Sequence, residues 1–395
     1  MRVVVAPDKF KGSLTAAQVA ERVAAGLARA VPGVEVVQVP VADGGDGTLE
    51  AALAAGYRRV PVRAEGPTGE PVDTAFAERG GLAVVELADV SGLGRLPGGR
   101  LAARTASSYG TGQLIRAALD AGCRRIVLGI GGSASTDGGA GLVQALGGRV
   151  LDARGEELGR GGASLAAAAS LDLAGLHPAL GQAELVVASD VDNPLLGPRG
   201  AAAVYGPQKG ASPADVAELD AALGRWAAAV QRATGIDAAG TPGAGAAGGV
   251  GFAALAVLGA RLQPGIDLVL DLVGFREALP GARLVICGEG SLDAQTLHGK
   301  APAGVAAAAR AAGIPAVAVA GRSLLTQAEL EPAGILAAYP LSDLEPAGIL
   351  AVYALTDIEP DPDRCMTEAG PLLERLAARV AHDWLTDKAK EMTSR

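Results

Sequence analysis

Three glycine-rich loops that carry carboxylates are the residues of this 395-residue chain best suited to chemistry. The longest, GGSASTDGGAG at 131–141, follows the apolar run 126–130, and the others are ADGGDGT at 42–48 and GEGSLD at 288–293. Glycine lets backbone N–H groups approach an anion closely, and carboxylates supply the oxygens that Mg²⁺ prefers. Loops of this type therefore predict a site for phosphate together with a metal ion.

Eight carboxylates fall where apolar runs end, and these runs are typical of strands in a parallel sheet. They are Asp8, Asp43, Asp46, Asp137, Asp190, Asp192, Glu289 and Asp293. Because functional residues of α/β proteins gather at the carboxyl ends of the strands, several of these groups are expected to converge on a nucleotide–metal site. Any single Asp could instead be a turn former or a helix cap, but that alternative explains the whole set poorly.

Lysines occupy similar loop positions. Lys9 and Lys11 lie in PDKFKGSL, Lys209 in GPQKGAS and Lys300 in HGKAP. A lysine at a glycine-rich turn binds phosphate or a substrate carboxylate as a point charge, and the alternative is a solvated surface lysine. Most of the chain's positive charge before residue 388 is arginine, which favours the functional interpretation.

Two other glycine motifs are weaker signals. Gly129-x-Gly131-x-x-Ala134 resembles a dinucleotide fingerprint but has no clear acidic partner about 20 residues on. The segment PGAGAAGGVG at 242–251 opens an Ala/Leu helix and could place backbone amides at a phosphate. Tight helix packing through small residues explains this segment equally well.

Composition narrows the class of protein. Hydrophobic residues make up 49% of the chain and aromatic residues only 3%, which favours helices packed on sheets. The net charge of −9 argues against nucleic acid or an anionic membrane as a partner, and the apolar runs are too short to predict a membrane span. Three unpaired cysteines and a first strand without a signal peptide predict a cytoplasmic protein.

Short apolar runs alternate with amphipathic segments, the pattern of β–α–β units. We predict strands at 3–6, 34–39, 126–130, 185–188, 284–287 and 316–320, and helices at 16–30, 112–121, 213–234 and 304–312. Thr15 or Ser13 is the expected N-cap of the first helix, with Gln18 at capping-box spacing from Thr15. Residues 58–90 alternate more strictly and predict an antiparallel or mixed sheet.

One internal repeat stands out: EPAGILAAYPLSDL at 331–344 is followed directly by EPAGILAVYALTDI at 345–358. A single pair of copies is not a solenoid array. We interpret it as a tandem duplication, with one copy in the sheet and the other extra. The extra copy should cost little stability in a surface loop.

Together these segments resemble the bacterial glycerate kinase family that acts on D-glycerate. The matching segments, in order from residue 3 to about 320, are APDKFKGSL, VADGGDGTLEA, SYGTGQLI, GIGGSASTDGGAG, DVDNPLLG, YGPQKGA, PGAGAAGGVG and GEGSLDAQTLHGK. The resemblance implies phosphorylation of glycerate by ATP with Mg²⁺, with 2-phosphoglycerate as the expected product. It also implies an α/β fold of two domains with the active site in the cleft between them. The duplicated region 331–358 departs from the family, where one copy is expected.

The resemblance and the patterning lead to a domain assignment and to residue roles. A Rossmann-like or flavodoxin-like parallel domain is expected at 1–64 and 280–395, and an inserted mixed α/β domain at 65–279. Nucleotide phosphates are assigned to Gly131, Gly132, Ser133, Gly245 and Gly248. Mg²⁺ is assigned to Asp190, Glu289 and Asp293. The predicted catalytic residues are Asp190, Asp293, Lys11 and Lys209, without a decision on which Asp is the base, and the predicted substrate-binding residues are Asp8, Ser13, Asp43 and Lys300.

Two alternatives stay open. The same residues would suit a kinase of another small hydroxyacid or sugar, or one that makes 3-phosphoglycerate. A non-catalytic anion-binding regulatory module would use similar loops, although simple anion capture is poorly served by so many carboxylates. The expected partners are small molecules, and the chain is expected to be a monomer or a homodimer.

Overall fold

The structure is a computed structural model that describes residues 1–293, 296, 300–324 and 349–386. The chain divides into two compact units. The first consists of the described parts of Met1–Asp43, Glu50–Ala55 and Ile266–Arg395, and the second of Gly44–Leu49 and Gly56–Gly265. The domain boundaries expected near residues 64 and 280 stay a prediction. The α/β class is confirmed.

Strands and helices alternate along most of the described chain. The strands are β1 Arg2–Pro7, β2 Glu35–Gln38, β3 Arg58–Glu65, β4 Pro71–Arg79, β5 Leu82–Glu86, β6 Arg125–Gly129, β7 Arg149–Leu151, β8 Ser170–Asp172, β9 Glu184–Ala188, β10 Arg261–Gln263, β11 Ala282–Leu292, β12 Ala316–Ser323 and β13 Ile349–Ala354. The helices are α1 Ala16–Ala30, α2 Thr48–Ala54, α3 Ala88–Ser91, α4 Tyr109–Asp120, α5 Ala140–Ala145, α6 Ala201–Tyr205, α7 Pro213–Thr234, α8 Ala246–Ala256, α9 Gly265–Leu272, α10 Phe275–Ala278, α11 Ala301–Ala311, α12 Pro362–Thr367 and α13 Ala369–Leu385.

The first unit is built on a five-stranded parallel sheet of order β13-β12-β11-β1-β2. Counted along this unit alone, its strands lie in the order 2-1-3-4-5, which is the flavodoxin-like doubly wound order. Both faces are covered: Val3 and Val5 of β1 pack with α1 and α13, whereas Val4 and Ala6 pack with α9 and α11. Burial of alternate residues on opposite faces explains why β1 is a continuous apolar run.

The start of helix α1 has the capping interaction that the sequence predicts. The Thr15 hydroxyl accepts a hydrogen bond from the Gln18 amide at 3.2 Å, and the Gln18 side chain accepts one from the Thr15 amide at 2.9 Å. This reciprocal pair is a capping box, so the choice between the two candidate N-caps is settled in favour of Thr15.

The second unit is built on a six-stranded mixed sheet of order β10-β9-β6-β5-β4-β3. Strands β5, β6, β9 and β10 are parallel to one another, and β4 runs antiparallel to both β3 and β5. The mixed sheet predicted for residues 58–90 is therefore confirmed. Strands β7 and β8 form a separate antiparallel pair.

The repeat is described only in part. Residues 331–348, which include all of the first copy, lie outside the described residues. Residues 349–354 of the second copy form β13, an edge strand that pairs in parallel with β12. The prediction that one copy joins the sheet is confirmed, and the placement of the other copy stays a prediction.

A close contact between α1 and α13 gives a stability test. A Cβ added at Gly26 would lie 2.3 Å from the Glu374 carbonyl oxygen and 2.8 Å from the Ala377 Cβ. We expect Gly26→Ala to lower the free energy of unfolding by about 1–3 kcal/mol through overpacking. The helical control Gly224→Ala meets only Leu196, at 3.9 Å, and should gain up to about 1 kcal/mol in urea unfolding. Equal stability of the two variants would contradict this packing.

Candidate active site

Acidic residues of the first unit meet where its strand order reverses. The reversal lies between β1 and β11, where open α/β sheets bind their ligands. Pro7 of β1 is level with Gly288 of β11, so Asp8, just after β1, and Glu289, within β11, come next at the same level of the sheet. The Asp8 amide donates to the Gly288 carbonyl at 2.8 Å. The topology thus brings together two carboxylates that lie far apart in the sequence.

Burial gives this cluster unusual electrostatics. Asp8 is 8% exposed and Glu289 9% exposed. The pKa of Glu289 is raised to about 7: desolvation and the negative charges of Asp8 and Asp293 raise it, and the hydrogen bond from Thr296 and the charge of Lys300 oppose the rise. Such carboxylates favour a positive ligand. Their oxygen donors also fit a hard divalent cation such as Mg²⁺.

Four lysine and serine residues named in the sequence analysis belong to the first unit: Lys9, Lys11, Ser13 and Lys300. Lys300 Nζ lies 3.9 Å from Asp293 Oδ1, and Lys9 Nζ lies 3.6 Å from Asp8 Oδ1. Lys11 is exposed and Ser13 half-buried, with the Ser13 hydroxyl donating to the Phe10 carbonyl at 3.2 Å.

Two further contacts place Lys11 and Asp43 relative to the strands of the first unit. A Cβ added at Gly290 of β11 would lie 3.1 Å from the Lys11 amide nitrogen, so the turn that carries Lys11 packs closely on the strand. Asp43 is half-buried and comes two residues after Val41, whose amide donates to the Pro7 carbonyl at 3.0 Å. Six predicted residues therefore lie within or after three neighbouring strands of this unit, β1, β2 and β11: Asp8, Lys11, Ser13, Asp43, Glu289 and Asp293.

In the second unit, the loop after β6 packs directly against the Gly44–Leu49 segment. A Cβ at Gly129 would lie 2.6 Å from the Gly44 carbonyl oxygen, and one at Gly131 would lie 2.6 Å from the Gly45 Cα. Only glycine permits this approach of two backbones. Gly132 is exposed with a φ of +74°, and Gly131 is half-buried. These two predicted phosphate-binding glycines therefore lie at the accessible part of the loop.

Asp137 organises the buried part of the same loop. Its fully buried carboxylate accepts hydrogen bonds from the Ser108 amide at 2.8 Å and the Ser108 hydroxyl at 2.9 Å. It also accepts from the Ser107 hydroxyl and from the amides of Gly139 and Gly141, at 3.2–3.3 Å. The three contacts from Ser107 and Ser108 join the loop to the start of α4, and the two from Gly139 and Gly141 join Asp137 to the start of α5. Of the eight carboxylates, Asp137 therefore agrees with the alternative interpretation, in which the residue stabilises a turn and does not bind a ligand.

Lys209 is buried on the other side of the loop, with 1% exposure. Its Nζ donates to the Ser133 hydroxyl at 2.8 Å and to the Ser135 carbonyl. Desolvation lowers the pKa of Lys209 to about 7 against the opposing charge of Asp137. Lys209 and Ser133, both predicted site residues, are therefore brought together, and Lys209 contacts the loop itself.

Gly245 and Gly248 contact protein backbone. The Gly245 amide donates to the Asn193 carbonyl at 2.8 Å, and the Gly248 carbonyl accepts from the Gly138 amide at 2.9 Å. Gly248 has a φ of +70°, and a Cβ there would lie 2.0 Å from the Ser135 carbonyl oxygen. Both contacts favour the packing interpretation of this segment, and a phosphate role for these glycines stays a prediction.

Asp190 lies exposed after β9, where its Oδ1 accepts from the Gly265 amide at 2.7 Å. It belongs to the second unit, whereas Glu289 and Asp293 belong to the first. Within the described part of the chain, no three His, Cys, Asp or Glu side chains are grouped closely enough to hold a metal ion by themselves. The predicted metal set is therefore not assembled within either unit.

Sequence reasoning missed Glu86, at the end of β5. It is 5% exposed, and its Oε2 accepts hydrogen bonds from the Leu49 amide at 2.9 Å and the Gly47 amide at 3.2 Å. Glu86 lies within the apolar run 83–87 rather than after it, so its sequence position does not mark it as a loop carboxylate.

The first unit is a doubly wound α/β unit with carboxylates at its switch point, the place where such units bind ligands. Comparison with known proteins defines the class further: the glycerate kinase family model matches residues 3–385, and the chain belongs to this family. It is accordingly an enzyme that uses ATP to phosphorylate an alcohol group. None of the helices in the described residues is long and apolar enough to cross a membrane.

Several known proteins are similar over most of their length. The chain is 43% identical to a glycerate kinase of Halalkalibacterium halodurans over 383 residues, 96% of this chain and 97% of that protein. It is 45% identical to the glycerate 2-kinase of Escherichia coli over 325 residues, 81% and 85% of the two chains. The crystal structure of a protein assigned as glycerate kinase 2 from Salmonella typhimurium LT2 matches with a TM-score of 0.83, at 39% identity and 99% coverage of both chains.

The buried Lys209 predicts a pH dependence of stability. Its folded pKa of about 7 lies below the unfolded value of about 10.4, so between these values the unfolded chain binds the additional proton. Stability conferred by this site therefore rises with pH. In urea unfolding, the stability of wild type relative to Lys209→Met should increase by roughly 1–2 kcal/mol from pH 7.5 to 9.

Lys11→Met is the matched control, because it also replaces a lysine by methionine but does so at an exposed turn and removes no buried charge. The difference in stability between wild type and Lys11→Met should change less with pH than the difference between wild type and Lys209→Met. The buried thiol of Cys287 and the phenol of Tyr353 also titrate at high pH, but they are common to all three proteins and cancel in the difference. A constant difference between wild type and Lys209→Met at both pH values would contradict the prediction.

Proposed function

We propose that this protein transfers the γ-phosphoryl group of ATP to the 2-hydroxyl of D-glycerate, giving 2-phosphoglycerate and ADP. The observation that supports this most strongly is the buried pair of Asp8 and Glu289 at the β1–β11 switch point. Family membership supports glycerate as the acceptor, and the name of the Escherichia coli relative supports the 2-position. Another small hydroxyacid or sugar, or the 3-hydroxyl of glycerate, is the second candidate.

The proposed nucleotide site is the accessible part of the loop after β6. Gly131, Gly132 and Ser133 would direct amide and hydroxyl donors at the phosphates. Lys209 would act through Ser133 and the Ser135 carbonyl by fixing the loop that carries these donors. Gly248 would support the same loop by packing against Ser135, whereas Gly245 packs against Asn193 and Pro194.

The metal assignment is Glu289 and Asp293, with Asp190 as a third candidate. The carboxylate-rich environment of Glu289 fits Mg²⁺ because the local negative charge is only partly balanced by Lys300. The chemistry that Mg²⁺ supplies when bound is neutralisation of charge on the phosphates. The protein's own contribution is to hold these oxygens fixed at the ends of buried strands.

Glycerate presents one carboxylate and two hydroxyls, and the residues after β1 match these groups. Lys11 and Lys300 would bind the carboxylate as point charges. Asp8 and Asp43 would accept hydrogen bonds from the hydroxyls, and the Ser13 hydroxyl would donate or accept one. Asp190 or Asp293 would accept the proton that the 2-hydroxyl loses as its oxygen attacks the γ-phosphorus. Transfer requires the attacking and leaving oxygens to be roughly in line, so positioning provides most of the catalysis.

The proposal also includes the cellular location and the partners of the protein. Cys123, Cys287 and Cys365 are buried and free, which supports a reducing, cytoplasmic location. The partners would be ATP and glycerate, with no nucleic acid or membrane, and the oligomeric state would be a monomer or a homodimer.

The direct test is ADP formation with Mg²⁺, ATP and D-glycerate, followed by phosphorus NMR of the product. We expect glycerate-dependent turnover and a phosphorus signal coupled to a single proton, as in 2-phosphoglycerate. Coupling to two protons would identify 3-phosphoglycerate. No turnover with D-glycerate, but turnover with another hydroxyacid or a sugar, would overturn the proposed acceptor.

The role of Asp190 is tested by Asp190→Asn, which retains an acceptor for the Gly265 amide and removes the charge. A lost base or metal ligand should reduce kcat by roughly 10²–10⁴-fold. The matched control is Asp192→Asn, an exposed neighbour paired with Arg199 at 3.2 Å, which should retain near wild-type activity. Near wild-type kcat for Asp190→Asn would remove Asp190 from the catalytic and metal sets and leave Asp293 as the base.

A further inference from the structure

Glu86 has no role in the proposed mechanism. Among the described residues, it is the one buried carboxylate on the parallel strands of the second unit. It ends β5, and one of its oxygens, Oε2, accepts both the Gly47 and the Leu49 amides. Both amides belong to the start of α2, where N–H groups have no partner within the helix. Glu86 therefore attaches the Gly44–Leu49 segment to the sheet.

That segment lies against the proposed nucleotide loop. The backbone around Gly44 and Gly45 fills the space beside Gly129 and Gly131, and a Cβ at Gly44 would lie 2.7 Å from the Ala188 Cβ at the end of β9. A shift of the segment would therefore displace the backbone next to Gly131. A displacement of this size matters, because misplacement by about 1 Å can reduce turnover by roughly 100-fold.

We propose that Glu86 is a positioning residue for phosphoryl transfer, which holds the Gly44–Leu49 segment against the loop that follows β6. The expected effect of Glu86 on turnover rests on the proposed function. The structural part of the inference, the attachment of the segment, stands independently of the substrate.

The charge of Glu86 makes the attachment sensitive to pH. Burial raises the pKa of Glu86 to about 7, and the charges of Asp46 on the segment and Asp89 on α3 add to the rise, while the Leu49 and Gly47 amides oppose it. Asp89 is itself paired with Arg95 and accepts from the Thr74 hydroxyl at 2.6 Å. Ionised Glu86 makes the stronger, charge-assisted bonds, so the segment is held best above pH 7.

Kinetics of Glu86→Gln test this charge. Gln keeps the shape and an acceptor oxygen, so the variant resembles wild type with Glu86 protonated. We expect kcat/KM of wild type to exceed that of Glu86→Gln by about tenfold at pH 8.5 and to approach it at pH 5.5. Because other groups such as Glu289 titrate equally in both proteins, the ratio isolates Glu86. A ratio that is constant with pH would overturn the role of its charge.

Glu184→Gln is the matched control, since Glu184 begins β9 at the surface and pairs only with Arg261 among the described residues. Its kcat/KM relative to wild type should stay near one at both pH values. A change with pH as large as that of Glu86→Gln would assign the effect to general electrostatics.

Hydrogen exchange tests the attachment without any substrate. In Glu86→Ala, the amides of a peptide spanning residues 44–50 should exchange at least about tenfold faster than in wild type. A peptide spanning β6 should exchange at an unchanged rate, which shows that the variant is folded. Unchanged exchange at residues 44–50 would overturn the attachment. Failure of wild type to phosphorylate glycerate would instead overturn the proposed function and leave this result valid.

Discussion

Contact between backbones, with no side chain between them, is the constraint on which the second unit depends. Gly129 and Gly131 lie against the Gly44–Gly45 backbone, and Gly248 lies against the Ser135 carbonyl. Side chains would separate these segments by several ångströms, so the loops meet only where the sequence supplies glycine. Several peptide groups in these contacts, such as those of Gly44, Gly45 and Gly131, lie outside helices and strands. Other partners must satisfy their hydrogen bonds, because an unpaired buried peptide group is costly.

Charged side chains supply those partners. Asp137 accepts amides and hydroxyls that join the loop after β6 to α4, Lys209 donates to the opposite side of that loop, and Glu86 accepts the amides of the adjoining segment. A buried charge gains little net stability, since desolvation offsets the bonds it makes. It does restrict the backbone to the arrangement in which all its bonds are made. The first unit differs, because the buried Glu289 faces the negative charges of Asp8 and Asp293 as well as the positive charge of Lys300.

Helices and strands that depend on short-range sequence patterns were predictable from the sequence, whereas the directions of side chains in loops were not. The βαβ alternation, the capping box at Thr15 and the mixed sheet at 58–90 depend on periodicity and spacing within a few residues. Lys209 and Lys11 occupy similar glycine turns in the sequence, yet one is buried and the other exposed. That difference depends on which segments pack over each turn, which only the tertiary structure shows. Gly245 and Gly248 illustrate the same point, because close packing and phosphate binding require the same residue.

The strand order of the first unit explains how residues so distant in sequence come together and how a repeat is accommodated. Asp8 and Glu289 belong to adjacent central strands, and their neighbourhood requires only that β1 and β11 pair in register. The second copy of the repeat supplies β13, which pairs with β12 at the edge of the sheet. Strand β12 therefore separates the repeat's described strand from β11. Because the entropy of closing a connection rises slowly with its length, a longer connection before β13 is expected to cost little, and the acidic switch point is formed by β1 and β11, which both precede the repeat in the sequence.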